Sequence, residues 1–169
     1  MTKAKPLPDL EYLREILSYD KETGLFYWKR PRKSIRVGNI AGTKYNNGYI
    51  RIRIDHERYC AHRVAWYFLT NIDPFDKQID HVNGTKYDNR ASNLRLATDS
   101  QNKANQSKSK NNKSGYKGVH FKKSHNKWCA VINIDNKRIH IGYFDSPELA
   151  HIAYCKRAVE LFGEFARGA

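Results

Sequence analysis

The stretch QIDHVNGTKYDNRASNLRLATDSQN, residues 78–102, decides how this chain is read. Asp80 and His81 are adjacent, Asn93 follows His81 by twelve residues, and Asn102 follows Asn93 by nine. Phosphodiester hydrolysis needs a deprotonated water, a neutralised phosphate charge and a stabilised leaving oxygen. A neutral, oriented His81 can take the proton. The side-chain carbonyl of Asn93 can fix its tautomer by accepting from the other ring nitrogen. Asp80 and Asn102 offer hard oxygen ligands, which suit Mg²⁺ or Mn²⁺ rather than zinc. Neighbouring residues on a strand point to opposite faces, so a bend or strand end must bring Asp80 and His81 to one site. Taken singly, an Asp-His pair is ordinary turn chemistry, and Asn93 or Asn102 alone is a cap or a turn. The four at this spacing favour a site.

The charge around this stretch is segregated. The 169 residues carry 31 Lys+Arg against 17 Asp+Glu, a formal net charge of +14. Residues 1–70 are net +7, residues 71–100 net −1, residues 101–127 net +8 and residues 128–169 neutral. A surface charged only for solubility would be mixed throughout. Two basic blocks around a slightly acidic island point to a polyanion, of which nucleic acid is the commonest. The 40% hydrophobic content supports a folded core. No apolar run approaches the roughly 20 residues of a membrane span, and the N-terminus lacks a secretory h-region. The three cysteines, Cys60, Cys129 and Cys155, form no Cys-x-x-Cys clamp. They read as reduced, mostly buried thiols of a cytoplasmic protein.

Outward from residues 78–102, periodicity predicts a helix over 8–18, an aromatic strand over 25–28 and a strand over 49–54 with Arg51 and Arg53 on one face. A turn at 55–58 and a helix over 62–69 follow. A strand covers 78–82, and the Thr98/Gln101 capping box opens a helix to about 105. Residues 106–114 contain no apolar side chain and read as a linker. Strands over 116–121, 127–134 and 137–141 then precede a helix to about 162, with Leu149, Ala150, Ala153, Tyr154, Val159 and Leu161 as its apolar positions.

Residues 78–102 resemble the phage HNH homing endonucleases, in the variant whose last motif residue is Asn. Residues 48–68 (GYIRIRIDHERYCAHRVAWYF) are similar to the unit that precedes the motif in that family, and residues 17–30 (LSYDKETGLFYWKR) to the module that often begins it. The resemblance implies a ββα-metal (His-Me finger) core holding one Mg²⁺ or Mn²⁺. His81 would be the general base, Asn93 its orienting residue, and Asp80 and Asn102 the metal ligands. Asn102 replaces the eponymous histidine, exchanging a nitrogen ligand for an amide oxygen. Residues 115–166 resemble the Apetala/ethylene-response-factor DNA-binding domain, a three-stranded antiparallel sheet packed on one helix. Several positions that are arginine in the plant domain are Lys117, His120 and Lys122 here, and lysine lacks the bidentate fork for guanine.

The expected fold is therefore α+β. Residues 1–70 form an N-terminal DNA-contacting strand and helix module, 71–105 the HNH core, 106–114 a basic linker and 115–169 the factor-like domain. The expected activity is metal-dependent nicking of double-stranded DNA of the homing type, leaving 5′-phosphate and 3′-hydroxyl ends, by a monomer or homodimer with no membrane association. Expected DNA contacts are Arg30, Arg32, Lys33, Arg51 and Arg53 on one side. On the other they are Lys103, Lys108, Lys110, Lys113, Lys117, His120, Lys122, Lys123, Lys127, Trp128, Arg138 and His140. Trp128 reads as a sugar or base contact or as core, and His62 as a structural histidine or a phosphate contact. Rival readings are a DNA-binding regulator with an inert nuclease motif, and an RNA-binding protein.

Overall fold

The computed structural model describes residues 5–32, 34–75, 77–109 and 111–167. Among them the fold is mixed α+β, with small sheets and four α-helices. Cα packing divides the chain into two compact units, residues 1–96 and 97–169.

The first unit opens with α1 (Leu10–Ile16), whose N-cap Asp9 accepts from the amides of Glu11 and Tyr12. Helix α1 buries Leu10, Leu13 and Ile16. It ends earlier than its periodicity predicts because Leu17 is already extended and starts β1 (Leu17–Asp20). β1 pairs antiparallel with β2 (Leu25–Trp28), which pairs with β3 (Ile40–Ala41). A second sheet runs β4 (Thr43–Lys44), β5 (Ile50–Ile54), β6 (Glu57–Cys60). Asp55 and Asn136 sit in tight two-residue hairpin turns, with Asp55/His56 and Asp135/Asn136 all at positive φ. Alternation along β5 sends Ile52 and Ile54 into the core and leaves Arg53 exposed. Helix α2 (Ala61–Thr70) buries Ala61, Val64 and Ala65. Strand β7 (Gln78–His81) pairs with β8 (Leu94–Ala97), which follows a 3-10 turn at Ala91–Asn93. Ile79 and Leu94 share one core with Leu13, Phe26, Trp28, Ile52, Ile54 and Val64. At its centre Phe26 stacks on Tyr19 at 4.8 Å and meets the edge of Phe68 at 5.5 Å. The N-terminal module and the β7–β8 ribbon are thus one packing unit.

The second unit holds α3 (Asp99–Asn105), β9 (Val119–Lys122), β10 (Lys127–Ile134), β11 (Lys137–Phe144) and α4 (Pro147–Phe162). Both bonds of the predicted Thr98/Gln101 capping box are present. The antiparallel order is β11-β10-β9, with a bulge between Ala130 and Val131. Ala130 and Ile132 pack on Ala150, Tyr154, Ala158 and Phe162 of α4. Leu149 and Val159, expected among the apolar positions of α4, are exposed. The small Ala150 and Ala158 take the inward positions, which lets the helix approach the sheet closely. Ala97 and Ala104 belong to this second core, so the polar run 106–114 lies within the second unit. Gly118 has a φ of +72°, and a Cβ there would overlap the Tyr154 ring at 2.2 Å. All three cysteines are free thiols, with Cys129 buried. Among the described residues no helix is long and apolar enough to cross a membrane.

One expected DNA contact turns inward. The Lys117 ammonium donates to the carbonyls of Ala104 and Gln106 at the end of α3, the latter at 2.6 Å. It satisfies backbone acceptors that a helix C-terminus leaves orphaned. Burial pushes its pKa down to about 8. Lys117 is therefore a helix cap, which corrects its assignment to DNA. Lys117→Met is expected to lower stability by about 1–3 kcal/mol, the cost of leaving such acceptors unmet. It should leave the salt dependence of DNA binding unchanged. Thermal melts and a salt titration of affinity check both halves.

Candidate active site

β7 ends at the site. Asp80 and His81 are both 4% exposed, so the strand is covered on both faces. Alternation separates the pair. Asp80 accepts from Arg95 Nε of β8 at 3.0 Å, an ion pair largely withdrawn from water. His81 turns toward a different set of groups. Its Nε2 lies 3.1 Å from Asn89 Oδ1. Its ring meets the His62 ring edge-on at 5.2 Å, and Tyr49 lies 6.0 Å away. With the Asn89 carbonyl accepting, the Nε2–H tautomer is selected and Nδ1 becomes the basic nitrogen.

Burial lowers the His81 pKa, opposed by the Asn89 bond and by the Asp80 charge. A lowered histidine pKa means a neutral imidazole at neutral pH, the form a general base requires. His62 is pushed further, to about 3, by burial and by the neighbouring His81 and Arg63. Its Nδ1 is buried with no hydrogen-bond partner among the described residues. His62 is therefore a neutral ring packed against the base. That answers the choice between a structural and a phosphate-binding histidine in favour of packing.

The orienting bond expected from Asn93 falls to Asn89, a correction to the sequence reading. Asn93 Oδ1 accepts from the Asn83 amide at 2.9 Å, and its Nδ2 donates to the Asp88 carbonyl at 2.7 Å. Asn93 thus clamps both ends of the 83–88 loop and holds the backbone next to Asn89. Its influence on His81 passes through that loop. Asn89 is itself 2% exposed, and its carbonyl accepts from the Tyr19 hydroxyl at 2.7 Å. The Ala91 amide donates to the Lys21 carbonyl at 2.9 Å. Gly24, at a φ of +74°, lies so close that a Cβ would come within 2.4 Å of Arg90 N. The β1–β2 hairpin therefore braces the loop that aims His81. In sequence, Asn89 carries only the turn signal of Asp88-Asn89, which does not set it apart from other asparagines in turns.

The sequence reading calls for a magnesium-class cation. Such an ion keeps most of its waters and takes one or two carboxylates plus substrate phosphate. Asp80 is the one carboxylate of the expected set and is paired with Arg95, and among the described residues no group of three or more His, Cys, Asp or Glu side chains could hold a metal ion. Asn102 lies on α3 of the second unit and is partly exposed.

The expected DNA contacts divide into engaged and open groups. Arg30 pairs with Glu15 at 2.9 Å, and Arg32 donates to the Arg53 carbonyl at 2.9 Å. Lys127 pairs with Asp145, and Lys108 donates to the Gly115 carbonyl at 2.7 Å. Trp128 is half-buried against the second core and meets Phe121 edge-on at 5.2 Å. Arg53, Lys103, Lys113, Lys122, Lys123, Arg138 and His140 are exposed, while Arg51 and His120 are partly so. Arg138 lies 3.5 Å from the His120 ring nitrogen. Lys33 and Lys110 lie outside the described residues.

Residues 59–104, which span Asp80, His81, Asn93 and Asn102, match the family model described as HNH endonuclease. The chain is 31% identical over 106 residues to Protein 3.8 of Escherichia phage T7, covering 63% of this chain and 87% of that protein. It is 41% identical over 93 residues to an HNH endonuclease of Acanthamoeba polyphaga mimivirus, covering 55% of this chain and 47% of that one. A second mimivirus HNH endonuclease is 38% identical over 77 residues, which are 19% of its length. No solved structure matches. A buried histidine beside a carboxylate, set at the end of a two-stranded ribbon, agrees with these likenesses, and residues 59–104 form an HNH endonuclease domain.

Proposed function

We propose that the chain is a metal-dependent DNA endonuclease of the homing type that nicks duplex DNA, leaving 5′-phosphate and 3′-hydroxyl ends. The observation that carries this reading is the buried His81, whose Nε2 lies 3.1 Å from Asn89 Oδ1. His81 Nδ1 takes the proton of the attacking water, and the resulting imidazolium is steadied by Asn89 and by the nearby Asp80 charge. Asp80, aligned by Arg95, is the carboxylate ligand. Asn102 keeps the role of second ligand that the family resemblance assigns to it. A divalent cation held there, Mg²⁺ or Mn²⁺, would supply positive charge for the scissile phosphate and the leaving oxygen. The His62 and Tyr49 rings pack against the His81 ring, at 5.2 Å and 6.0 Å, and support its orientation.

By the family resemblance, β7, β8 and α3 would be the elements of a ββα-metal core. The three-stranded antiparallel β9–β11 sheet packed on α4 supports reading the second unit as an ethylene-response-factor-like module. Lys122, Lys123 and Arg138 on that sheet support phosphate binding there. One active site per chain makes a nick the product of one turnover.

The test is incubation of the full chain with supercoiled plasmid and Mg²⁺. Relaxed circles should accumulate, and a chelator should abolish them. Intact supercoils in both Mg²⁺ and Mn²⁺, with DNA still bound, would favour the inert regulator instead.

A further inference from the structure

A basic concave surface of the first unit is built on the face of β4–β5–β6 that carries Arg51 and Arg53. It is lined by Trp28, Arg32, Tyr45, Arg51, Arg53 and Arg58. The strand register puts Arg53 directly opposite Arg58 and Arg51 opposite Cys60. Like charges at directly opposed positions destabilise a sheet. Such a breach of local preference is a mark of function.

The guanidinium groups are held rather than splayed. Arg51 lies 4.9 Å and Arg58 5.7 Å from the centre of the Tyr45 ring. Arg32 lies over Trp28 at 4.7 Å and ties the edge of β5 through the Arg53 carbonyl. The carboxylate in the groove, Asp55, is taken by the Tyr12 hydroxyl at 2.5 Å and faces Arg32 at 3.7 Å. Arg51, Arg53 and Arg58 have no ion pair among the described residues, and Arg51 Nε is buried without a hydrogen-bond partner. By contrast, the β9–β10 side of the second unit presents mainly Lys122, Lys123 and Lys127. Lysine offers a point charge, whereas an arginine fork matches the O6/N7 edge of guanine bidentately.

We infer that this arginine face enters the major groove of duplex DNA and reads guanine, so that sequence selection resides in the first unit. A two-stranded ribbon fits that groove. Arg51 and Arg53, two residues apart on one face, are separated by about 6.8 Å along the strand, the length of about two base-pair steps. Rings that fix the guanidinium planes lower the ordering cost of bidentate contact. The inference rests on the duplex-DNA reading above and adds which bases are read and by which residues.

The test uses the full chain and a random-sequence duplex library in two ways: cleavage-site sequencing with Mg²⁺, and selection by binding in chelator. Wild type should enrich guanines at fixed offsets in both. The double variant Arg53→Gln/Arg58→Gln, at two exposed positions, should lose that enrichment about tenfold or more. Lys122→Gln/Lys123→Gln should weaken binding across all sequences and keep the guanine pattern. Thermal melts confirm that each variant is folded. An unchanged guanine pattern in the arginine variant, or no base preference in wild type, overturns the inference. A library bound with guanine enrichment but never cut overturns the nuclease reading and leaves the arginine face supported.

Discussion

His81→Ala is expected to lower the cleavage rate about 10³-fold, within the range for loss of a positioned general base. DNA affinity should stay close to that of wild type, because His81 is buried and contributes no surface charge. The substitution also strands the Asn89 carbonyl, which now accepts from His81 Nε2 at 3.1 Å. An orphaned buried acceptor costs about 1–3 kcal/mol, so a melt must accompany the assay to show that the variant is folded. Cleavage by His81→Ala within a few-fold of wild type, under single-turnover conditions, would remove His81 from the chemistry.

Gly24→Ala is expected to damage a site to which residue 24 contributes no side chain. Its backbone φ of +74° is strained for any residue with a Cβ. The added methyl carbon would fall 2.4 Å from Arg90 N and 2.5 Å from the Asn89 carbonyl carbon, both of them backbone atoms with no rotamer to change. Left-handed strain of about 1–2 kcal/mol and overpacking of about 1–3 kcal/mol act together. The loss should approach about 3 kcal/mol of stability. Relief requires the 88–91 loop to move away from the hairpin, and that loop carries the partner of His81. Cleavage should therefore fall even below the melting transition, where the chain is still folded. A variant with wild-type stability and rate would show that the hairpin does not brace the loop.

Much of the fold was legible because its signals are local. The apolar alternation of β5, the continuous strand 127–134, the Thr98/Gln101 box and the Asp-His and Asp-Asn hairpin turns are set by side chains within a few residues of one another. β1, β3, β4 and β8 were not legible. The two-residue strands β3 and β4 are too short for any periodicity. β1 is masked by the helical spacing that runs through Leu17, and β8 by the turn-rich residues on either side. At the candidate site, Asp80 and His81 stand out in the sequence because their chemistry is scarce and their spacing to Asn93 and Asn102 fits a known family. The roles of Asn89 and Asn93 were not, because one asparagine in a turn looks like another until its partner is known.

The sequence by itself determined the class of chemistry: a histidine beside a carboxylate, amide oxygens at fixed intervals, and basic blocks around them. It also located the longer elements, among them β2, β5, β10 and α4. Tertiary structure decided what each polar group is bonded to. Asn89 is carried to His81 by a loop braced from the β1–β2 hairpin, some seventy residues earlier in the chain. Lys117 is withdrawn to cap a helix, and Arg58 is brought opposite Arg53. Such pairings depend on burial, where an unmet donor or acceptor costs more than a met one contributes. Burial is a property of the packed chain, not of any stretch of it.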